Sequence, residues 1–526
     1  MKILLLNPPP NDRSWYRAEH LGLAYLAAVT RHAGHTVHIL DSLLENLNIE
    51  QTYQTIKRRF GSIQLFGITA TEPESIKSGV EIIKLLKRDG MNAHVTAGGY
   101  LPTFWSDKLL TKYPQVDSIV MGEGEETFKH LVQTLEQQNA LASIPGLAFR
   151  TQNGEIVHNP PRRLIQDLDQ LPFPARDYLE IAYQKYHHAL VYASRGCYHQ
   201  CSFCQIAQFY RLSQGSPYRT RSAQNIADEI ELLVAQYGVR SIFFVDDEFI
   251  TKSKHRKRII WELIEEIRKR KLNFSFSIQY RADTGNHEPL LRALKEVGLR
   301  TVFIGVESGV DSVLQRFDKG IRKTDIDCAL QIVHDLDLSP NIGYMLYRPD
   351  TTFEELKKSV EYLLSPESPT LLKLIGMTIL KGTPEEEMAR KHDLVSEGDF
   401  NIHYRIIDNK VASFAYLLHL YYPIYEQVAS DFYEIHFLIG DLPPSERIIF
   451  NEKIKNIRRK IRNLHQQFLA KSIQEVSNET MDVPDWMSKL KEAYQILSKE
   501  TYQLIVDGKI AISQLSGAPV DTRYLQ

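Results

Sequence analysis

Short apolar runs alternate with longer amphipathic stretches over roughly the first three-quarters of the chain. Runs at 2–7, 36–40, 64–69, 93–97 and 118–121 have the length of buried strands, and turn residues follow most of them. Between them, 21–33, 76–87 and 126–137 read as helices. In the second of these, Ile76, Val80, Ile83 and Leu86 recur at helical spacing, and Gly90 closes it. Strands alternating with helices predict a doubly wound, Rossmann-like parallel sheet over residues 1–145.

Residues 146–188 read as a linker. A small hairpin turns about Gln152-Asn153-Gly154, and two proline stretches then keep the chain extended. From 189 the alternation resumes. Strands at 189–194, 240–245, 273–278, 300–304, 342–346 and 371–379 are interleaved with helices at 223–236, 254–270, 287–297, 325–336 and 352–364. Six strands predict a partial (β/α)6 TIM-like barrel over 189–385 rather than a closed barrel of eight. Residues 386–526 read as a mainly α-helical region, with helices at 411–430, 446–470 and 486–506 and no clear element over 517–526. The fold class is therefore α/β with a helical C-terminal appendage. The basic run 453–462 alternates with Ile454, Ile457 and Ile461 and reads as one solvated helix face. The tyrosines around Tyr416, Tyr421, Tyr422 and Tyr425 suit core packing or a substrate wall equally.

Length and charge narrow the class. The chain has 526 residues, enough for two to four domains. A formal charge of −2 gives no electrostatic case for nucleic acid or an anionic membrane surface. The apolar run after Met1 is too short for a signal peptide, and no window predicts a transmembrane segment. The expected location is cytoplasmic, and four cysteines in all suit a reducing compartment.

Three of those cysteines, Cys197, Cys201 and Cys204, lie within eight residues, just past the strand at 189–194. Thiolates are soft ligands for iron–sulfur clusters, zinc or copper(I). Zinc needs a fourth ligand; His199 lies inside the loop and Cys328 is distant. A disulfide would leave one thiol over. A four-iron cluster held by three cysteines keeps one iron open to an outside molecule. Cys328 reads as a packed core thiol. Further polar groups follow the later strands: Asp246-Asp247-Glu248, Arg281, Glu307-Ser308. Adjacent buried acids call for a cation, and the Arg281 fork matches a carboxylate. In the first domain, Gly98-Gly99 and Gly122-Glu123-Gly124 follow strand ends, as turns or as loops that let backbone approach a ligand.

The C-x3-C-x2-C loop with Phe203 before its last cysteine resembles the signature of radical S-adenosylmethionine (radical SAM) enzymes. The runs Leu21–Ala28, Gly34–Val37, Gly98–Thr103 and Met121–Glu125 resemble the cobalamin-binding domain fused ahead of some of them. The resemblance covers about 1–385. It implies a [4Fe-4S] cluster on Cys197, Cys201 and Cys204. It implies SAM contacts from Asp246, Asp247, Glu248, Arg281, Glu307 and Ser308. Cobalamin contacts would come from Thr69, Gly98, Gly99, Tyr100, Gly122, Glu123 and Gly124. The motif that supplies a lower axial histidine elsewhere is missing, and His32, His35 and His38 read as ordinary histidines.

The activity implied is C-methylation of an unactivated carbon through a 5′-deoxyadenosyl radical and methylcobalamin, with a flavodoxin- or ferredoxin-type electron donor and a small-molecule or peptide substrate. An oxidative cyclase or rearrangement enzyme with the same cofactors, and a non-catalytic cobalamin or metal sensor, are the alternatives.

Overall fold

The computed structural model describes residues 1–9, 18–283, 287–365, 368, 370–371, 373–442, 444–479 and 484–516. The terminal stretch 517–526 lies outside them. Strands β1 (Lys2–Asn7), β2 (Thr36–Asp41), β3 (Leu65–Thr69), β4 (His94–Gly98) and β5 (Ser118–Val120) pair in parallel in the order 2-1-3-4-5. They are apolar on both faces because helices cover both; Leu4, Leu5, Phe66 and Val95 are fully buried. The hairpin β6 (Leu147–Arg150) and β7 (Ile156–His158) adds antiparallel to β5. The first sheet thus has seven strands and continues past 145, and the expected linker begins only after the hairpin. Pairing satisfies edge groups of β5 that would otherwise stay open.

The second sheet has the order β14-β13-β12-β11-β8, all parallel: β8 (Ala189–Val191), β11 (Ser241–Phe244), β12 (Ser275–Arg281), β13 (Leu299–Glu307) and β14 (Ser339–Tyr344). A short ribbon, β9 (Ser194–Arg195) with β10 (Arg219–Thr220), flanks the cysteine loop. The expected sixth strand is reduced to one parallel bridge, Met345 to Ile375; residue 372 is outside the described set. A small hairpin, β15 (Val395–Glu397) and β16 (Ile402–Tyr404), follows the barrel.

Three long helices, Asn409–Leu438, Pro444–Asn478 and Pro484–Ser516, make up the C-terminal region. Tyr421 and Tyr425 are buried there, and Tyr421 stacks on Phe468 at 3.9 Å, whereas Tyr416 is exposed. Tyr421 and Tyr425 are therefore helix-bundle core rather than a wall, and Tyr422 packs against that core partly buried. Cys328 corrects another expectation: it is exposed, because Ile326, Ala329 and Val333 form the buried face of its helix. Among the described residues no helix is long and apolar enough to cross a membrane.

Buried ion pairs join the two sheets. Arg176 bridges Glu19 and Glu229, the latter at 2.7 Å, and all three side chains are almost fully buried. Arg221 reaches the same Glu229. Arg176→Met should cost about 3–5 kcal/mol, because it leaves buried carboxylates without their cation. Calorimetry should show the loss as a lowered first transition, with cluster content per folded molecule unchanged.

Candidate functional site

The cysteine loop leaves β9 through Gly196 (φ +86°), where a Cβ would lie 1.7 Å from the Pro217 carbonyl oxygen. No other residue fits. The loop ends as the helix Gln205–Arg211 begins, directly after Cys204. It is pinned from the barrel side. Ser202 N donates to the Phe317 carbonyl at 2.9 Å, its Oγ to Glu385 at 2.6 Å, and Phe203 meets Phe317 edge-on at 5.1 Å. Burial pushes the Cys197 thiol up to about 12, with Glu248 adding to the rise, and it also raises Cys204. Left alone these sulfurs stay protonated. Positive metal is what would make thiolates of them.

The acids after β11 have divided roles. Asp246 is a structural residue: it accepts from Ser194 Oγ and Ala193 N and pairs with buried Arg256 at 3.4 Å. Its carboxylate is therefore not open to SAM, which corrects the expectation. Asp247 accepts from Gly196 N at 2.9 Å, and burial lifts it to about 7. Glu248 is fully buried. Its Oε2 stands 3.8 Å from Cys197 Sγ and 3.4 Å from His199 Nε2, and among the described residues its Oε1 has no hydrogen-bond partner.

Arg281 ends β12. It donates to Cys201 Sγ at 3.2 Å, to Asp283 at 3.0 Å and to the Lys319 carbonyl. Its guanidinium faces the cysteine sulfur more than an external carboxylate. Glu307 ends β13 in a left-handed conformation (φ +63°) and pairs with Lys319 at 3.0 Å. Ser308 Oγ is turned to Val310 N at 3.2 Å and shapes the turn.

In the first sheet, Thr69, Gly98, Gly99, Gly122 and Gly124 line one cavity of about 660 Å³, its mouth included. Gly99 has φ +108°, and a Cβ there would come within 3.1 Å of the Ala70 carbonyl. Two expected residues stand elsewhere. Tyr100 packs on Phe209 at 4.3 Å. Glu123 pairs with Arg219 at 2.8 Å and Arg195 at 3.4 Å, and accepts from Ile165 N. Both are drawn away because the barrel docks against this strand edge.

His20 lines the same cavity and was not expected; one histidine outside any motif gives no signal in sequence. Its Nδ1 accepts from Leu23 N at 3.2 Å, capping the first helix, so Nε2 carries the proton to Thr69 Oγ1 at 3.0 Å. Burial lowers its pKa from 6.5 to about 4. The unfolded chain therefore gains a proton here below pH 6.5, whereas the folded chain resists until about 4. The stabilisation is complete above that window and fades as pH falls through it, by at most about 3 kcal/mol. Urea midpoints should fall less between pH 7 and pH 5 in His20→Asn than in wild type.

The barrel interior is open. Phe243, Ser277, Gln279, Thr301, Phe303 and Asn341 face a second cavity, closed on one side by Ala429 and Phe432 of the helix Asn409–Leu438. A closed TIM barrel fills this space with bulky branched side chains. Small and polar ones leave it free here. The alternation Ser275, Ser277, Gln279 within an apolar strand was the readable sign.

The residues fit the groups the sequence pointed to. Three soft sulfurs share one loop, and an unpartnered buried carboxylate oxygen beside them suits an ammonium. Among the described residues no three His, Cys, Asp or Glu side chains close on a single-ion site. A four-iron cluster spreads its thiolates over separate corners and does not require one. The glycine-lined cavity leaves backbone exposed where a nucleotide-like tail would lie.

Comparisons agree with this geometry. Residues 191–363 match the radical SAM superfamily and residues 14–132 the B12 binding domain. An uncharacterized methyltransferase of Pyrococcus horikoshii is 32% identical over 369 residues, 69% of this chain and 77% of that protein. The anaerobic magnesium-protoporphyrin IX monomethyl ester cyclase of Rubrivivax gelatinosus is 28% identical over 64% of this chain and 60% of its own length. The cobalamin-dependent S-adenosylmethionine radical enzyme OxsB, solved with aqua-cobalamin and S-adenosylmethionine bound, superposes with a TM-score of 0.73 at 18% identity, covering 99% of this chain and 82% of its own.

Proposed function

Because the chain belongs to the cobalamin-dependent radical SAM enzymes, we propose that it is a methyltransferase acting on an unactivated carbon of a substrate held in the barrel. Its cofactors are a [4Fe-4S] cluster, SAM and cobalamin. When bound, the cluster with SAM supplies a radical that takes hydrogen from carbon, and cobalamin supplies methyl. One contact supports the joint use of both sites. Glu125 lines the glycine cavity and also holds Arg195, two residues before Cys197, at 2.6 Å.

The protein's own residues position and shield. Cys197, Cys201 and Cys204 are the cluster ligands in this reading. Glu248 receives the SAM ammonium, and Asp247 orders the loop through Gly196 N. Arg281 holds the Cys201 sulfur and offsets its charge. Glu307, whose carboxylate stands beside Gly343 of the lumen wall, would receive the ribose hydroxyls. Thr69, Gly98, Gly99, Gly122 and Gly124 cradle the cobalamin tail. The electron would come from a donor such as flavodoxin or ferredoxin.

Similarity to the magnesium-protoporphyrin cyclase favours one other reading, ring closure without methyl transfer. Product analysis of the reduced holoenzyme separates the two. S-Adenosylhomocysteine formed together with 5′-deoxyadenosine supports methylation. 5′-Deoxyadenosine alone, with substrate turned over, sinks it.

A further inference from the structure

The open barrel has a basic floor. At the amino ends of its strands, a third cavity lies between Ser241, Ser275, Thr301 and Ser339 above and the helix Pro444–Asn478 below. It shares Ser277, Thr301, Phe437 and Arg458 with the lumen, so the two spaces adjoin. Arg300, Arg447 and Arg458 line it. Among the described residues none of these three has a carboxylate within ion-pair distance. Arg458 donates to Ser339 Oγ at 2.7 Å and the Pro340 carbonyl at 3.1 Å, and lies over the Phe432 ring. Arg447 donates to the Leu442 and Gly440 carbonyls, and Arg300 to those of Lys295 and Leu299.

The acids lining the same cavity have partners of their own. Glu296 pairs with Arg268 at 2.7 Å, Asp337 with Lys455 at 3.7 Å, and Asp335 accepts from Gln331 at 2.7 Å. Burial, with Arg447 opposite, lowers the pKa of Arg300, and burial brings Arg458 down to about 10. Arg458 belongs to the run read as a solvated face. The structure turns it inward instead.

Arg300 and Arg447 lie close enough to repel each other, and Arg458 lines the same cavity with only a carbonyl and a hydroxyl as hydrogen-bond partners, so an anion seated there would answer charges that no carboxylate among the described residues offsets. Above them, the registered strands stack the lumen in layers: Ser277, Thr301 and Ser339, then Gln279, Phe303 and Asn341, then Arg281, Gly305 and Gly343. Four residues of strand separate the first layer from the last, roughly 13 Å. Arg281 in the last layer touches Cys201.

We propose that the floor formed by Arg300, Arg447 and Arg458 binds the anionic end, phosphate or carboxylate, of an elongated amphiphilic substrate whose apolar body fills the lumen and whose reacting carbon lies at the cysteine end. The proposal rests on the lumen being the substrate site of the reading above.

Calorimetric titration of the reconstituted holoenzyme with decyl phosphate, decanoate, decanol and inorganic phosphate tests it. The better of the two decyl anions should bind about tenfold or more tightly than decanol. Arg458→Gln should remove that advantage and leave decanol binding in place, and Arg458→Lys should restore part of it. Because Arg458 also holds Ser339, Arg447→Gln is the second variant and should act in the same direction. Which decyl anion binds better identifies the head group. Equal binding of anion and alcohol, no response to either variant, or inorganic phosphate binding as tightly as decyl phosphate would overturn the proposal. SAM cleavage by the wild-type protein is read separately, so a failure of the radical SAM assignment is not confused with these outcomes.

Discussion

Cys201→Ala should yield a protein that folds yet shows neither the visible absorbance of an iron–sulfur cluster after anaerobic reconstitution nor any cleavage of SAM. The effect is large because Cys201 is the most enclosed of the three thiols and the one Arg281 reaches. Two sulfurs cannot hold a cluster that three barely complete. The guanidinium aimed at the missing sulfur would lose that partner and keep Asp283, so the fold should survive the change. Cys328→Ala is the matched control. Its thiol is exposed on a helix of the barrel's outer layer, and both signals should survive. Persistence of either signal in Cys201→Ala would refute the cluster assignment.

Gly98→Leu should abolish corrinoid uptake while sparing the cluster. At Gly98 a Cβ meets only ordinary contacts, 3.5 Å from the Val120 carbonyl and 3.7 Å from its Cβ. Backbone strain does not arise, so the fold should hold. A leucine side chain would instead fill the cavity that Gly98 lines with Thr69 and Gly124. Gly99 is the poorer choice, since its positive φ would confuse blocking with unfolding. The readouts are cobalt content after reconstitution and iron content in the same sample. Full cobalt in Gly98→Leu would place the corrinoid elsewhere.

Much of this architecture is legible in the amino-acid sequence. The strands of the first sheet and the barrel helices fall within a few residues of their predicted ends, because apolar runs and helical periodicity are local signals. The short helices Tyr100–Phe104, Ser106–Lys112 and Asp311–Arg316 were missed, since a turn or two of helix carries too little periodicity. So was Ile49–Phe60, a longer helix with mostly polar sequence. The cysteine loop was legible from spacing alone.

The partners of each charged group were not legible. Asp246, Asp247 and Glu248 are neighbours in sequence with three different fates, because Arg256 reaches the first from the following helix while Gly196 N and Cys197 Sγ of the cysteine loop meet the second and third. Glu123 and Glu125 sit two apart. One is spent on the domain contact, and the other also lines the cavity.

Spacing and periodicity alone therefore determined the order of the main strands and helices, the two α/β units and the three-cysteine loop, all of which follow from residues near one another in the chain. Tertiary structure decided which acids stay available, that His20 enters the glycine cavity, and that Arg458 faces the barrel floor. Those outcomes depend on the side chains of distant segments, whose desolvation and pairing no local pattern encodes.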